Sequence, residues 1–357
     1  MKITFIRRNG SATGGAENYL IRLAGQLAAR GHSSRLICES WKLGLESFAE
    51  VKLLPQKGPA WRRPVLFARA VRASLAGERG DLIFSLERGV PCDIYRAGDG
   101  VHRSWLQHRL KARPWRGRLQ NFCNLKNPAL CKLERFTFDP ANTSRVIANS
   151  HLVQREVMQY FHYPEERIRV ILNGVDFAHF SGGSRLAGRE AMGWNSGEVV
   201  CLLVGAGAER KGHAAARRVL SGLRGRAHLH ILDQPAPCPL PDLYAAADIF
   251  LFPTLYDPFA NVTLEAMAAG LPVITTQDNG AAEIMQSGRN GFVVRDSRRI
   301  AEMTAHVRAL LDPALRKQMG DAAQRSVQEY SLERNVRETL QLMEEVGQQS
   351  GENPTPR

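Results

Sequence analysis

Short apolar runs recur along this chain and alternate with stretches whose apolar residues have helical spacing. The runs lie at 2–6, 34–38, 81–84, 92–96, 144–147, 168–172, 199–204, 227–232 and 249–252. After the first run, a glycine loop leads into helical spacing from Ala16 to Arg30, which stops at Gly31. Strands that alternate with helices in this way are typical of a doubly wound parallel sheet. The pattern therefore predicts an α/β fold with Rossmann-like organisation.

The length of the chain predicts two domains. Its 357 residues, 44% of them hydrophobic, can bury two cores of ordinary size. The Gly- and Ser-rich residues 181–184 interrupt the pattern before the strand predicted at 199–204. We therefore expect a first domain over 1–175 and a second over 190–330. Helices at about 298–312, 313–328 and 331–346 should close the chain, and the tail 347–357 should be disordered.

The composition excludes several classes of protein. The six cysteines form no C-x-x-C pair, and several lie in apolar runs, so we expect reduced thiols in a cytosolic protein and no metal site built from cysteine. The apolar run at 2–6 is too short for a signal peptide, and no run approaches the roughly 18 apolar residues of a membrane span. We expect a chain that is neither secreted nor membrane-spanning.

The formal net charge of +13 predicts an anionic partner, which the sequence leaves as nucleic acid, an anionic membrane or a phosphorylated substrate. The excess is concentrated at 102–138, which we call the basic insert. Its cations are Arg103, Arg109, Lys111, Arg113, Arg116, Arg118, Lys126, Lys132 and Arg135, against the single acid Glu134. Trp105, Leu110 and Trp115 are interleaved with them, which suits an anionic membrane surface. Nucleic acid is less well supported, because no RNA- or DNA-binding signature occurs. Ordinary helix packing with solvated basic edges is the other alternative.

The stretch 256–273 places Asp257 and Glu265 around the predicted start of a helix. The backbone N–H groups near Asn261 and Val262 belong to that start, where unpaired amides and the helix dipole favour phosphate. Asp257 alone could equally be a helix cap. Glu265 lies within an apolar helical face, where a carboxylate is costly unless it meets a donor. The stretch therefore indicates a site for a ligand that carries both phosphate and hydroxyl groups.

Six segments occur in the order typical of one protein family. They are Gly14-Gly15-Ala16-Glu17-Asn18, Ala148-Asn149-Ser150, Leu172-Asn173-Gly174-Val175-Asp176, Val204-Gly205-Ala206-Gly207 followed by Arg210-Lys211-Gly212, Ala247-Asp248, and the acid-x7-acid pair of Asp257 and Glu265. Together they resemble the retaining glycosyltransferases of family 4, with Asp257 where many members carry Glu. The resemblance covers most of residues 1–346. It implies the GT-B fold, in which two Rossmann-like domains face a cleft and the last helix, at 331–346, packs back on the first, acceptor-binding domain.

The resemblance also implies roles for individual residues. The donor site would comprise Gly14, Gly15, Gly205, Arg210, Lys211, Asn261, Val262 and Glu265, and the catalytic residues would be Asp99, His102, Arg210, Lys211, Asp257 and Glu265. Arg210 and Lys211 would clamp the donor diphosphate without a metal or other cofactor. Glu265 would accept hydrogen bonds from the ribose and Asp257 from the donor sugar. The alternative for Arg210 and Lys211 is a solvated helix start.

Asp99 and His102 follow the predicted strand at 92–96, at the end of a parallel strand where ligands bind in such sheets. We assign Asp99 a positioning or proton-accepting role and make His102 the second candidate. A histidine in a loop is otherwise usually just solvated.

The segment 95–102 together with the basic insert resembles the lipopolysaccharide core glucosyltransferases, which dock on the inner membrane. This implies a UDP-glucose donor, a lipopolysaccharide core or similar glycolipid acceptor, and a cytoplasmic, membrane-peripheral protein that binds no nucleic acid. Between Lys211 and Asp248, however, the sequence has room for a helix, one strand and a short helix only. This shortened second domain leaves open an alternative, a catalytically weak relative that binds glycolipid or anionic membrane. A Rossmann dehydrogenase is excluded, because no G-x-G-x-x-G follows the first strand.

Overall fold

The computed structural model describes residues 1–10, 15–42, 44–112, 126–223 and 225–352. The chain divides into two compact units. The first unit comprises Met1–Ile171 with Asn335–Arg357, and the second comprises Leu172–Arg334. The division falls at 171/172, a few residues before the expected boundary at 175–190, because Ile171 is buried in the core of the first unit and Val175 in that of the second.

The strands and helices follow the order β1 Lys2–Ile6, α1 Gly15–Ala29, β2 Ser33–Cys38, β3 Glu50–Leu53, α2 Arg63–Gly77, β4 Leu82–Ser85, β5 Cys92–Arg96, α3 His102–Ala112, α4 Lys126–Thr137, β6 Thr143–Ala148, α5 His151–Phe161 and β7 Ile168–Val170. They continue with α6 Phe177–Ser181, α7 Arg185–Met192, β8 Val200–Val204, α8 Ala208–Lys211, α9 His213–Ser221, β9 His228–Leu232, α10 Leu240–Ala246, β10 Ile249–Phe252, α11 Asn261–Ala268, β11 Val273–Thr276, β12 Gly291–Val294, α12 Ile300–Ala309, α13 Pro313–Val327 and α14 Leu332–Glu352. Short 3-10 turns occupy Leu45–Ser47, Glu165–Arg167 and Gly280–Ile284. In these described residues, no helix has the length and hydrophobicity that crossing a membrane requires.

The described strands of the first unit form a parallel sheet of seven, in the order β3-β2-β1-β4-β5-β6-β7. Its side chains alternate between two cores, as strands do when helices cover both faces of a sheet. Phe5 packs on the face covered by α1 and α14. Ile6 packs on the face covered by α2 and α5. The doubly wound arrangement is as predicted, although the sequence did not indicate β3.

Helix α14 belongs to the first unit. Its apolar side chains Val336, Leu340 and Met343 join the core beneath α1, and the Tyr19 hydroxyl donates to Thr339 Oγ1 over 3.0 Å. The helix continues to Glu352, so the prediction of a disordered tail over 347–357 is wrong for 347–352. At Gly347 the lack of a side chain admits Met1, whose sulfur would lie 2.8 Å from a Cβ there. The last five residues of the chain lie outside the described residues.

The second unit contains the shorter sheet. Its described strands form a parallel sheet of five in the order β12-β11-β10-β8-β9. Between Lys211 and Asp248 the described chain supplies α9, β9 and α10, which is the shortened arrangement that the sequence predicted. The strands β11 and β12 were not indicated by the sequence. The predicted α/β fold with two parallel sheets is confirmed.

Each sheet has a point at which successive connections turn in opposite directions. In the first sheet this switch point lies between β1 and β4, and in the second between β8 and β10. The loops that follow these strands diverge there and leave a crevice at the carboxyl edge, where ligands of doubly wound sheets bind. The fold therefore indicates two places to search for functional side chains.

Candidate functional site

A glycine turn follows β8 at the switch point of the second unit. Gly205 and Gly207 have φ values of +131° and +89°, which side-chain-bearing residues rarely adopt. A Cβ on Gly205 would also lie 3.1 Å from Cε of Lys211, so the turn lets that side chain lie across the backbone. At Gly212 a Cβ would collide with the carbonyl of Pro253, which begins the loop after β10. Glycine therefore brings the loops after β8 and β10 together.

Two cations from the first of these loops meet a carboxylate from the second. Lys211 Nζ donates to Asp257 Oδ2 over 2.8 Å, and an Nη of Arg210 donates to the same oxygen over 3.2 Å. Asp257 and Lys211 are nearly buried, with side chains 6% and 11% exposed, whereas that of Arg210 is 39% exposed. Lys211 Nζ also lies 4.8 Å from the centre of the Phe252 ring, a favourable cation–π distance. The predicted residues Arg210, Lys211 and Asp257 thus form one cluster.

The loop that carries Asp257 is held by Asn279, a residue that sequence reasoning missed. The buried amide of Asn279 donates to Thr263 Oγ1 over 3.0 Å and accepts from the N–H of Ala260 over 3.2 Å. The backbone of Asp257 is also tied to this segment, since its carbonyl accepts from Gly280 N over 2.8 Å. These bonds fix the carboxylate of Asp257 opposite the cations. Only the pairing of two loops distant in sequence gives Asn279 this role.

Glu265 lies on α11 and accepts a hydrogen bond from the Tyr244 hydroxyl over 2.8 Å. The Tyr244 side chain is fully buried, so the bond supplies the donor that a carboxylate in an apolar helical face requires. Burial raises the pKa of Glu265 above 4.5, while the Tyr244 hydroxyl and the nearby charge of Lys211 oppose that rise. Tyr244 is a second site residue that the sequence did not reveal, because α10 is distant from α11 along the chain.

Helix α11 begins beside this cluster. The residue before it is Ala260, so no side chain caps its first N–H groups. Asn261 and Val262 form its first turn and are half-buried, and Asn261 Oδ1 accepts from Asn173 Nδ2 over 2.7 Å. An uncapped helix start beside a lysine and an arginine is suited to bind phosphate. The arrangement can therefore hold a diphosphate on one side and hydroxyl groups at Asp257 and Glu265 on the other.

In the first unit, Asp99 lies in a group of charges at the carboxyl ends of β1 and β4. Its side chain is 60% exposed, and its carboxylate lies 3.6 Å from a guanidinium nitrogen of Arg7. Arg7 also contacts Glu17 at 3.3 Å and Glu87 at 3.5 Å. Asp99 is therefore accessible at the sheet edge where the sequence placed it, and its carboxylate forms an ion pair with Arg7.

His102 begins helix α3, and its surroundings differ from those of Asp99. The buried carboxylate of Glu134, on α4, accepts the N–H of His102 over 2.6 Å and that of Arg103 over 3.1 Å. Arg88 Nε lies 3.4 Å from the same carboxylate. Burial, then the charge of Arg88, lowers the pKa of His102 to about 4. The ring is neutral at pH 7, and so low a pKa makes it a weaker proton acceptor than an ordinary histidine.

The structure places the remaining predicted residues as follows. Gly14 lies outside the described residues, and Gly15 is the exposed first residue of α1. The basic insert is described as α3 and α4, and residues 113–125, with Arg113, Arg116 and Arg118, lie outside the described part.

The sequence missed Arg88 and Glu134 as residues that fix the start of α3. The lone acid among many cations was the one signal that pointed to Glu134.

Two family models match the chain. A model of glycosyltransferase family 4 matches residues 13–179, and a model of group 1 glycosyl transferases matches residues 188–313. Among curated proteins, a D-inositol 3-phosphate glycosyltransferase of Geodermatophilus obscurus is 29% identical over 233 residues, which are 55% of this chain and 51% of that protein. An uncharacterized glycosyltransferase of Methanocaldococcus jannaschii is 28% identical over 56% of this chain and 59% of its own. The chain thus spans about half the length of the curated relatives it matches.

Solved structures share the fold over nearly the whole chain. WaaG, a glycosyltransferase involved in lipopolysaccharide biosynthesis, superposes with a TM-score of 0.79 at 20% identity, over 94% of this chain and 98% of its own. HepE of Anabaena, solved with UDP and glucose, gives a TM-score of 0.69 at 19% identity, over 97% of this chain and all of its own. At these identities the likeness concerns the fold.

The two parallel-sheet units, the second with a cationic glycine turn that faces the carboxylate of Asp257, have the GT-B fold of these solved structures. The two family models match residues of both units. The chain belongs to the group 1 and family 4 glycosyltransferases.

Proposed function

We propose that this chain transfers a hexose, with glucose as the preferred sugar, from a UDP-sugar to a lipopolysaccharide core or similar glycolipid. The transfer retains the anomeric configuration and takes place at the cytoplasmic face of the inner membrane. The observation that carries this proposal is the cluster of Arg210, Lys211 and Asp257 beside the uncapped start of α11. HepE, solved with UDP and glucose, supports the donor, and the role of WaaG in lipopolysaccharide biosynthesis supports the acceptor class.

The cluster suits the charge that develops on the leaving group. When the bond to the anomeric carbon breaks, negative charge gathers on the departing diphosphate, and preorganised cations stabilise it. Lys211 is nearly buried, so its interaction with phosphate is weakly screened by water. Glu265 would accept hydrogen bonds from the ribose, and Asp257 from hydroxyls of the donor sugar. No step of this scheme requires a cofactor or metal.

The contacts of Asp257 favour front-side displacement. Its Oδ2 already accepts from two cations, which lowers its nucleophilicity. We therefore infer that the acceptor hydroxyl attacks the anomeric carbon on the face that the diphosphate leaves. The hydroxyl proton passes to a phosphate oxygen of the leaving group. These two steps retain the anomeric configuration without a glycosyl-enzyme intermediate.

The decisive experiment measures transfer and its stereochemistry. Purified full-length protein is incubated with UDP-glucose, UDP-galactose or GDP-mannose and with truncated lipopolysaccharide core oligosaccharide, and products are identified by mass spectrometry and anomeric NMR couplings. We expect an α-linked hexose, fastest from UDP-glucose, and loss of transfer in Lys211→Ala but not in the exposed control Lys317→Ala. A β-linked product would refute retention. Transfer that survives Lys211→Ala would refute the assigned site.

The described cations of the basic insert support membrane docking. Arg103 and Lys111 on α3, and Lys126, Lys132 and Arg135 on α4, are exposed, while Trp105 and Leu110 are half-buried beside them. Cations near an anionic bilayer contribute about 1 kcal/mol each. The insert would bring the enzyme to a lipid-anchored acceptor.

Vesicle binding tests this docking. The charge-reversed variant carries Arg109, Lys111, Arg113 and Arg116 changed to Glu, and a control carries Arg217, Arg218, Arg226 and Arg295, exposed residues of the second unit, changed to Glu. Both lose the same total charge. We expect only the first variant to stop sedimenting with phosphatidylglycerol vesicles, and equal loss in both would mean that net charge alone drives binding.

The shortened second sheet supports one competing function. Between Lys211 and Asp248 the described chain has one strand. The nucleotide base therefore has fewer elements to contact than it would have with a further strand and helix in this region. A protein that binds anionic vesicles and glycolipid but neither binds nor hydrolyses any of the three nucleotide sugars would be the catalytically weak relative. Nucleotide affinity measured by calorimetry separates the two functions.

A further inference from the structure

A cavity of about 230 Å³ opens at the switch point of the first sheet. Its polar lining comes from the ends of β1 and β4, from the loop after β5 and from α4, and its apolar lining consists of a proline and leucines. The lining residues are Arg7, Arg8, Asn9, Pro64, Leu86, Glu87, Arg88, Asp99, Lys126, Leu130 and Leu133. It is smaller than the roughly 300 Å³ at which pockets for drug-sized ligands begin. It therefore has room for one small group, such as a single sugar ring.

The arginines of this cavity are matched by carboxylates. Arg7 lies 3.3 to 3.6 Å from three of them, those of Glu17, Glu87 and Asp99. Since one guanidinium carries one positive charge, this part of the cavity has excess negative charge. A phosphate group placed here would face two carboxylates of the lining itself.

The other two arginines are also paired. Arg8 lies 3.9 Å from Glu39, and Arg88 lies 3.4 Å from the buried Glu134. Arg88 further donates to the carbonyl of Gly100 over 2.7 Å. Glu39 is also paired with Arg63 over 2.7 Å, and Lys126 adds a cation to the lining, so five cations in and around the cavity are balanced by five carboxylates. Other N–H groups of the arginines can still donate hydrogen bonds. The cavity therefore combines donors and acceptors with little net charge.

Glu87 is the hydrogen-bond acceptor of this lining whose orientation is most firmly set. Its Oε1 accepts from Arg8 N over 3.0 Å and from Arg7 over 3.5 Å, so its orientation is set by two partners. Leu86, Leu130 and Leu133 supply apolar surface near it. Carboxylates beside guanidinium groups recognise hydroxyls, which both donate and accept, and an apolar wall suits the C–H face of a sugar ring.

We propose that this cavity is a subsite for an uncharged sugar ring of the acceptor, with Glu87 as a specificity-determining residue that accepts hydrogen bonds from its hydroxyls. Asp99 accepts from a second hydroxyl, and Arg8 and Lys126 donate to ring oxygens. The subsite discriminates against a phosphorylated sugar at this position, because the lining carboxylates repel phosphate and the arginines are already neutralised. The inference rests on the proposed function and deepens it, since it names the chemistry of the acceptor.

The test compares neutral and charged probes on the full-length protein. Saturation-transfer NMR and calorimetry measure binding of methyl α-D-glucopyranoside, glucose 6-phosphate and inorganic phosphate. We expect the neutral glycoside to bind at millimolar concentration and more tightly than either phosphate probe. Tighter binding of glucose 6-phosphate or phosphate, or no binding of the glycoside, would overturn the proposal.

Variants locate the binding. Glu87→Gln removes the charge but keeps the shape, and we expect at least tenfold weaker glycoside binding, while Glu166→Gln, an exposed control in the same unit, binds as the parent protein does. If Glu87→Gln does not fold, the exposed Asp99→Asn replaces it and must weaken the glycoside likewise. Unchanged glycoside affinity in the folded variant would refute the subsite. UDP affinity, which depends on the second unit, should not change in these variants, so failure of the donor site is distinguished from failure of this inference.

Discussion

The two switch points use charge in opposite ways. In the second unit, Arg210 and Lys211 share one nearly buried carboxylate, Asp257, whereas Glu265 is hydrogen-bonded to Tyr244, so the glycine turn itself carries an excess of positive charge. In the first unit, Arg7, Arg8 and Arg88 each lie between 3.3 and 3.9 Å from at least one carboxylate. The same sheet topology therefore presents a cationic edge in one unit and a balanced edge in the other. The difference fits an anionic donor in the second unit and an uncharged acceptor group in the first.

The two edges also differ in how they are held. The cations of the second unit depend on a glycine turn beside them in the sequence, at Gly205 and Gly207. The start of α3 in the first unit depends instead on Glu134, which reaches back about thirty residues to His102 and Arg103. Substitutions in the cluster of Arg210, Lys211 and Asp257 should accordingly affect binding, and substitution of Glu134 should affect folding.

The largest effect is expected for Glu134→Ala. It leaves two N–H groups of α3 and the half-buried Arg88 without their carboxylate, and breaking such a buried pair costs roughly 3–5 kcal/mol. Urea unfolding of the first unit, followed by hydrogen exchange, should show the loss, while Glu166→Ala on the surface should change stability by less than about 0.5 kcal/mol. A loss in Glu134→Ala no greater than in that control would mean that the contacts of Glu134 do not fix α3.

Lys211→Ala should remove about 3 kcal/mol of transition-state stabilisation, which is at least a 100-fold fall in kcat/KM for transfer from UDP-glucose. The folded state should persist, because Arg210 still compensates Asp257. Lys211→Arg keeps the charge and should recover part of the rate. If Lys211→Ala and Lys211→Arg were equally impaired, geometry rather than charge would dominate the site.

His102 should make the stability of the first unit depend on pH. Its folded pKa of about 4 lies below the ordinary 6.5, so its contribution is present in full above pH 6.5 and is lost as the pH falls to about 4. We expect about 2 kcal/mol over this range, because the ring is only half-buried. His102→Asn should flatten the pH dependence of unfolding, and His151→Asn at an exposed position should not. If the unfolding free energy of His102→Asn depends on pH as steeply as that of the parent protein, other groups cause the pH dependence.

The smallest effect is expected for Glu265→Gln, which should weaken UDP binding about tenfold, or ~1.4 kcal/mol, because a neutral amide accepts weaker hydrogen bonds from the ribose. The raised pKa of Glu265 also fixes the sign of the pH dependence: its protonated form favours the folded state below pH 4.5, and this contribution is lost as the pH rises through the folded pKa. UDP affinity should rise over the same range as the carboxylate forms. Calorimetry between pH 4.5 and 7 should show this rise in the parent protein and not in the variant.

The cluster of Arg210, Lys211 and Asp257 was predictable because each of its parts is a short segment of the sequence. Glycines before Arg210 and Lys211 and the spacing of Asp257 and Glu265 indicate phosphate and hydroxyl recognition, and the structure joins three of these residues through one carboxylate oxygen. Tyr244 and Asn279 were not predictable. A buried tyrosine in a helix and an asparagine after a strand are ordinary residues, and their hydrogen bonds to α11 and its loop arise only when separate elements pack together.

The first unit shows the limit of sequence reasoning more sharply. Asp99 was correctly placed at the end of β5, since strand ends follow from the apolar pattern. Its pairing with Arg7 joins residues 92 positions apart, and the pairing of Arg88 with Glu134 joins two further elements. Helix α14 also runs to Glu352, six residues past its predicted end, where Gly347 admits Met1.

By itself the sequence determined the α/β class, nine of the twelve described strands, and the glycine turn that positions Arg210 and Lys211. These follow from local periodicity and from backbone angles that only glycine adopts easily. The tertiary structure alone decided which charges neutralise one another. Coulomb energy depends on distance and burial, and both are set only when strands far apart in the chain lie side by side.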